Sequence, residues 1–436
     1  MFPFAFRCFH APTRPGFPAP TQGSVPLLAA LALSCVSSLP CLAQAMPTAE
    51  LTHLPNGMRV HSGDQTMEIT TLREDVIRVR AWQGNAAPEN SSWAVLPQAL
   101  HSLANATPEA DGFSTGKLHV ALGPGLALAV TDNAGNILQQ DAEPVLRHGK
   151  DFRVYKHRTE DDHFFGLGDK PGPLDRSGEV FTMWNTDHFG WQESTDPIYK
   201  SIPFFMDVKG GRTLGVFFNN TYRSSFDFGR ENPNEYSFGS VDGPLDYFLL
   251  YGPAPKQVLS TYAWLTGPTP LPPLWSLGFQ QSRYTYSPES QLVDVEHRLR
   301  ADKIPSDVLW LDIDFQKNNM PFTVDPERFP NFPQLVKSLA ADKFHLVVIT
   351  DLHVARQPDV GYAPYDSGAA GDHFVKLPDG STFVGTVWPG PAVFPDFTQQ
   401  RTLFWWGSLF KNFVDDGVAG FWNDICLLYT SPSPRD

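Results

Sequence analysis

The chain has 436 residues, 42% of them hydrophobic, enough for two domains with sizeable cores. Its formal net charge is −14 and no run of Lys and Arg clusters anywhere, which argues against nucleic acid or an anionic membrane surface as a partner. Aromatic residues reach 13%, a content that suits aromatic-rich cores and also surfaces on which sugar rings stack.

The N-terminus has the pattern of an export signal. Arg7 and Arg14 precede an apolar run from Val25 to Leu33, and Ala43-Gln44-Ala45 supplies the small residues of a cleavage site. The run is too short for a membrane span. Residues 1–45 are therefore expected to be a signal peptide, and the mature protein to be exported to a bacterial periplasm or the extracellular space. Cys8, Cys35 and Cys41 fall in this segment and Cys426 lies near the C-terminus. The stretch between them offers no disulfide, thiolate metal site or cysteine nucleophile. The histidines show no metal-ligand spacing such as H-E-x-x-H, so no histidine metal site is expected.

Residues 46–266 read as all-β. Strand-like runs recur at Val76–Ala81, Lys117–Leu122, Leu214–Phe218 and Tyr247–Tyr251, punctuated by Gly, Asn, Asp and Pro, the signature of a sandwich. Gly166-Leu167-Gly168 lies inside this β region and so makes a weak dinucleotide motif.

A Pro-rich linker, Gly267-Pro268-Thr269-Pro270-Leu271-Pro272-Pro273, marks a change of grammar. Strands then alternate with helices. A strand near Ser276–Gln281 leads to a helix begun near Pro288, with Leu292, Val295 and Leu299 on one face. Asp307–Leu311 is a short buried strand, followed by a helix around Gln334–Ala341 and a strand over Phe344–Thr350. After a long loop come an aromatic-rich helix around Thr398–Val414 and a last strand over Gly417–Asn423. Near-continuous apolar strands between helices imply a parallel sheet covered by helices. Polar residues end each strand: Arg283 and Tyr284, Asp312 and Asp314, Asp351 and His353, then Asp424. Functional groups at the C-terminal ends of successive strands fit a (β/α)8 barrel, with a doubly wound sheet as the structural alternative. A whole barrel takes about 250 residues, and roughly 150 follow the linker, enough for about four βα units, the first half.

Carboxylates at the same end of consecutive strands are what glycosidic cleavage needs: one attacks or stabilises the anomeric carbon and another protonates the leaving oxygen. Asp312, Asp351 and Asp424 are the candidates, and taken singly each is equally a cap or an ion-pair partner.

The stretch Pro272–Ile425 resembles glycoside hydrolase family 31, the α-glucosidase and α-xylosidase family. The matching blocks are Leu277-Gly278-Phe279-Gln280-Gln281-Ser282-Arg283-Tyr284, Trp310-Leu311-Asp312-Ile313-Asp314-Phe315, Phe322–Pro330, Val387–Thr398 and Gly420-Phe421-Trp422-Asn423-Asp424-Ile425. The resemblance implies a galactose-mutarotase-like sandwich followed by a TIM barrel. It implies Asp424 as the nucleophile of a retaining double displacement, and Asp312 as acceptor of hydrogen bonds from the far hydroxyls of the terminal sugar. Tyr284 and Trp388 would wall that subsite, Asp187 in Trp184-Asn185-Thr186-Asp187 would reach the sugar or aglycone from the sandwich, and Asp351 is taken as a further substrate-binding residue. The implied partner is an oligosaccharide, most simply an α-glucoside cut at its non-reducing end, with no metal or organic cofactor. An α-xyloside, transglucosylation, lyase chemistry and a non-catalytic sugar-binding protein remain open.

Residues 426–436, CLLYTSPSPRD, resemble the in-frame translation of a sequencing-library adapter. The barrel domain is accordingly bounded at 267–425 and the chain reads as interrupted. The family's acid/base follows the nucleophile strand, so turnover by residues 1–436 alone is not expected.

Overall fold

The computed structural model describes residues 49–424 apart from 85, 149, 187 and 189 and the side chains of 146–148. Residues 1–45, expected to be a signal peptide, the tail 426–436 and Asp187 lie outside the described residues.

Three antiparallel sheets build the N-terminal region. The largest has eight strands in the order Glu50–Leu54, Gly57–Ser62, Gln65–Arg73, Val76–Gln83, Leu245–Gly252, Arg212–Phe218, Phe204–Lys209 and His163–Gly166. One five-stranded sheet orders Leu146–His148, Asp151–His157, Glu235–Ser240, Ser224–Asp227 and Val180–Met183; another is a meander from Thr107–Glu109 to Ile137–Gln140. Strand alternation sends side chains to two cores. Leu214, Val216 and Phe218 join Leu245, Tyr247 and Leu249 in the inter-sheet core with Phe164, Phe205, Phe226 and Phe238. Their neighbours Phe217, Phe248 and Leu250 face the other way, against Val258 and Leu265.

Those last two residues belong to a helix, Pro255–Thr266, which corrects the all-β expectation for 46–266. Proline occupies its first turn, where no intrahelical N–H is needed; Gln257 Oε1 accepts from the Ala254 N–H at 3.1 Å, and Gly267 ends it at φ 98°. Val258, Thr261 and Leu265 form its buried face and cover sheet that would otherwise show Phe248 to water.

Beyond the linker, four parallel strands run side by side in chain order: β1 (Gln280–Gln281), β2 (Val308–Leu311), β3 (His345–Ile349) and β4 (Gly420–Trp422). Helices Glu289–Ala301, Phe332–Ala341, Gln400–Leu409 and Lys411–Asp416 separate them. An order that advances in one direction is that of barrel strands; a doubly wound sheet reverses at a switch point. Leu309, Leu311, Leu346 and Val348 pack with Leu292, Phe332, Leu335, Leu339 and Phe413 in the core under the helices.

Two element boundaries differ from expectation. The first strand shrinks to two residues because Leu274–Leu277 forms a 3-10 turn behind two prolines that have no N–H for a ladder, with the Trp275 ring stacked on His345 at 4.2 Å. The aromatic-rich helix breaks in two at Phe410, whose ring lies 5.0 Å from Phe322 and 4.7 Å from Phe421. The long loop after β3 carries a helix, Ala363–Ala370, and a small antiparallel sheet of Val354–Ala355, Gly390–Val393 and Gly385–Val387. No helix among the described residues is long and apolar enough to cross a membrane.

Candidate active site

The parallel register sets the site. Leu311 lies opposite Val348 and Ile349 opposite Trp422, and the ladder continues past β4 through the Thr350 N–H to the Trp422 carbonyl at 2.9 Å. Asn423 Nδ2 donates to the Thr350 carbonyl, tying the segment after β4 to the segment after β3. Asp312, Asp351 and Asp424 thus leave the same end of three adjacent strands. Because Leu309 and Leu311 point to the helices, Trp310 and Asp312 point the other way.

A cavity of about 340 Å³ opens there, lined by Ser282, Arg283, Tyr284, Trp310, Asp312 and Trp422. Trp310 and Trp422 meet edge to face at 6.0 Å, and Trp310 Nε1 donates to Gln280 Oε1 at 3.0 Å, so one wall is held by β1, β2 and β4 together. Tyr284 is largely exposed, and Arg283 lies over the Tyr286 ring at 5.8 Å. Asp312 Oδ1 accepts from the Ile313 N–H at 2.7 Å, capping the turn Ile313–Phe315 and fixing the carboxylate's direction. Burial, and then the charges of Asp424 and Asp314, push the Asp312 carboxyl above its ordinary value, against the pull of that hydrogen bond.

Asp351 differs from Asp312. It is 0% exposed, and neither of its oxygens has a hydrogen-bond partner among the described residues. Thr350 Oγ1 and Gln316 Oε1, equally buried, are also unpartnered, although Gln316 Nε2 reaches the Ile349 carbonyl at 3.2 Å. Burial first, then Asp424 and Asp312, raise the Asp351 carboxyl to about 7. His353, fully buried with Nδ1 3.9 Å from Asp351 Oδ2, is lowered by burial to about 4. At neutral pH the ring is therefore uncharged, and 3.9 Å is too long for a hydrogen bond, so the two are neighbours and not an ion pair.

The structure brings Tyr284 and Asp312 into one cavity, with Asp424 two residues beyond the lining Trp422. It seats Asp351 out of the cavity lining, wholly buried. Trp388 occupies the tip of the hairpin Gly385–Val387/Gly390–Val393, is 56% exposed and is not among the lining residues. Asp314 is turned to Arg328, 4.0 Å from Nη1. Trp310, Trp422, Ser282 and Arg283 line the cavity without having been singled out as site residues. For the two tryptophans the signal was available: each stands two positions before a candidate carboxylate, hence on the same face of its strand.

The family profile described as the glycosyl hydrolases family 31 TIM-barrel domain matches residues 269–433, and that of the glycosyl hydrolase 31 N-terminal galactose mutarotase-like domain matches 66–227. The first match runs past residue 425 into the tail. Among curated proteins, alpha-glucosidase 2 of Bacillus thermoamyloliquefaciens is 36% identical over 380 residues, 86% of this chain and 48% of that protein. An alpha-glucosidase of Saccharolobus solfataricus is 32% identical over 64% of this chain and 40% of its own length. The chain thus spans about half the length of these relatives. A Flavobacterium johnsoniae GH31 dextranase complexed with glucose superimposes with a TM-score of 0.79 at 28% identity, covering 90% of this chain and 48% of the dextranase. A mutant of that dextranase complexed with isomaltotriose gives 0.78 over 87% of this chain and 47% of its own.

Proposed function

This chain belongs to glycosyl hydrolase family 31, and on that premise we propose that the whole protein hydrolyses terminal α-glucosidic bonds of oligosaccharides with retention of configuration. The observation that carries the reading is the set of strand-end carboxylates, Asp312 and Asp424, beside a cavity walled by Trp310, Trp422 and Tyr284. Aromatic faces pack on the apolar faces of a sugar ring, while a fixed carboxylate accepts from its hydroxyls.

In this reading Asp312 holds the non-reducing sugar by its far hydroxyls. Asp424 attacks the anomeric carbon as the bond to the leaving oxygen breaks and a general acid protonates that oxygen. Water then cleaves the glycosyl ester and frees Asp424. Asp351 has the raised carboxyl expected of a general acid, but it is fully buried and does not line the cavity, and reach comes before pKa. The acid/base therefore stays unassigned among the described residues, and residues 1–436 alone are proposed not to turn over substrate. Maltose- and isomaltose-type oligosaccharides are the substrates to try, given the α-glucosidase and dextranase relatives. Export by residues 1–45 belongs to the same proposal.

The test uses a protein of the relatives' length that carries this chain's motifs. Incubation with 5-fluoro-α-glucosyl fluoride and peptide mapping by mass spectrometry should place the label on Asp424. A label on any other residue overturns the assignment, and turnover by purified 1–436 above a buffer blank overturns the claim about the shorter chain.

A further inference from the structure

A second cavity, of about 420 Å³, lies in the sandwich region and shares no lining residue with the one beside Asp312. Its composition is unusual: aromatic residues, amides and hydroxyls, with no charged side chain among its described lining residues. Trp93, 89% exposed, stands on one side, and Trp184 and Tyr222 are both exposed large aromatics on the same lining. Three water-facing aromatics around one depression cost solvation free energy unless something covers them.

The floor is built and locked. Arg78 holds Asp246 through Nε and Nη2 at 2.8 and 2.7 Å, both side chains being buried. Asp246 Oδ2 accepts from Asn219 Nδ2 at 2.8 Å, and Asn219 Oδ1 in turn accepts from Ser92 Oγ at 2.7 Å. Ser92 Oγ also accepts from the N–H groups of Ala94 and Val95 at 3.1 and 3.2 Å. The backbone on both sides of Trp93 is therefore pinned to a buried ion pair, so its exposure is not that of a loose loop. Asn220 is equally engaged: Nδ2 donates to the carbonyls of Asp242 and Pro244, and Oδ1 accepts from the Tyr222 N–H.

The rim, by contrast, keeps polar atoms in hand. Asn185 Oδ1 accepts from the Ser201 N–H at 2.9 Å, which aims the amide and leaves Nδ2 without a partner among the described residues. A rigid floor, exposed aromatic faces and the unspent Asn185 amide form a receptor for a ligand with apolar C–H faces and many hydroxyls but no charge. An anionic or cationic ligand would find no counter-charge among the described lining residues, and a purely apolar one would cover the Asn185 amide without giving it a partner.

We propose that this cleft is a second carbohydrate site that binds a neutral oligosaccharide without cleaving it, with Trp93 and Tyr222 as the stacking faces. The volume is in the range of small-molecule sites. Only the choice of α-glucosyl probes rests on the proposed function.

The experiment is isothermal titration of the 1–436 chain with maltotriose and with isomaltotriose, for wild type, Trp93→Ala, Tyr222→Ala and Asp312→Asn, each checked for native near-UV circular dichroism. Saturable binding is expected for at least one sugar, weakened about tenfold or more by Trp93→Ala or Tyr222→Ala and less than about twofold by Asp312→Asn. Binding lost in Asp312→Asn but intact in Trp93→Ala would put the sugar in the barrel cavity and overturn the proposal. So would no saturable binding at tens of millimolar sugar. If Trp93→Ala fails to fold, Tyr222→Ala decides. The labelling of Asp424 is independent of every one of these outcomes, so the two readings fail separately.

Discussion

In the sandwich, Arg78 and Asp246 are each about as buried as Asp351 in the barrel region, yet they meet through two short hydrogen bonds, and Lys156, fully buried, is paired with Asp141 and donates to Tyr247 Oη at 3.1 Å. Asp351 has neither bond nor counter-charge; a neutral histidine stands 3.9 Å away, and the charges that act on it are those of two further carboxylates. Both regions take ionisable groups out of water. The sandwich pairs Arg78 with Asp246 and Lys156 with Asp141, while Asp207 is pushed well above the ordinary carboxylate range by burial and neighbouring Asp162. The strand ends of the barrel region instead hold their carboxyl in a state that shifts with pH. Burial alone therefore does not mark a functional carboxylate, and neither does the lack of a partner: Asp351 is buried and unpartnered yet stands outside the cavity lining, whereas Asp312 lines it.

The largest expected effect breaks the sandwich side of this contrast. Arg78→Met removes the guanidinium and leaves Asp246 buried and unpaired, which should cost about 3–5 kcal/mol of unfolding free energy. Urea unfolding of the 1–436 chain measures it. The double variant Arg78→Met/Asp246→Leu should recover most of the loss, since replacing a whole buried pair by apolar side chains is close to neutral. A loss under about 1 kcal/mol in the single variant would mean that water reaches Asp246 and that the pairing contrast is false.

A smaller effect, with its own pH signature, comes from Asp351. Its carboxyl is raised to about 7, so its contribution to stability is whole below the unfolded value near 4 and is lost as pH rises through 7. His353, lowered to about 4, runs the other way: its contribution is whole above about 6.5 and is lost as pH falls through 4. Asp351→Asn deletes the first dependence and keeps the second. Relative to wild type, the variant should gain on the order of 4 kcal/mol between about pH 4 and about pH 8. A difference that stays flat over that range would show Asp351 to be ionised throughout and stabilised by a partner.

How much of this was legible in the sequence depended on whether the signal was local. Asp312 and Asp424 could be picked out because each ends an apolar run, and the parallel sheet followed from strands too apolar to alternate. The helix Pro255–Thr266 carries its buried face at positions 258, 261 and 265, but one short helix between a strand and a Pro-rich linker stands out little from the β pattern around it. Trp310 and Trp422 were within reach by counting two residues back from the carboxylates. The fate of Asp351 was not within reach: at a strand end, a carboxylate facing a cavity and one sealed away have the same local pattern, and only the three-dimensional packing around β2, β3 and β4 separates them. Trp388 illustrates the same limit, since the turn it occupies is local but the distance from that turn to the cavity is not.

The smallest effect sharpens the contrast from the surface side. Asp314 stands two residues after Asp312 in the same motif, yet it is half-buried, 4.0 Å from an Arg328 that is itself held by Asp325 at 3.0 Å and by the Gln316 carbonyl at 2.9 Å. Arg328 keeps those partners whether or not Asp314 is charged. Asp314→Asn should therefore change unfolding free energy by less than about 1 kcal/mol. It also removes one of the charges that raise Asp312, so the Asp312 carboxyl should ionise at lower pH, read as a shift of its side-chain carboxyl signal in an NMR titration. Stability barely changed with that signal displaced would tie Asp314 to the electrostatics of the cavity and not to the fold. A large loss of stability with the signal unmoved would make Asp314 a structural partner of Arg328, and the carboxylates of the site would then be those at the strand ends alone.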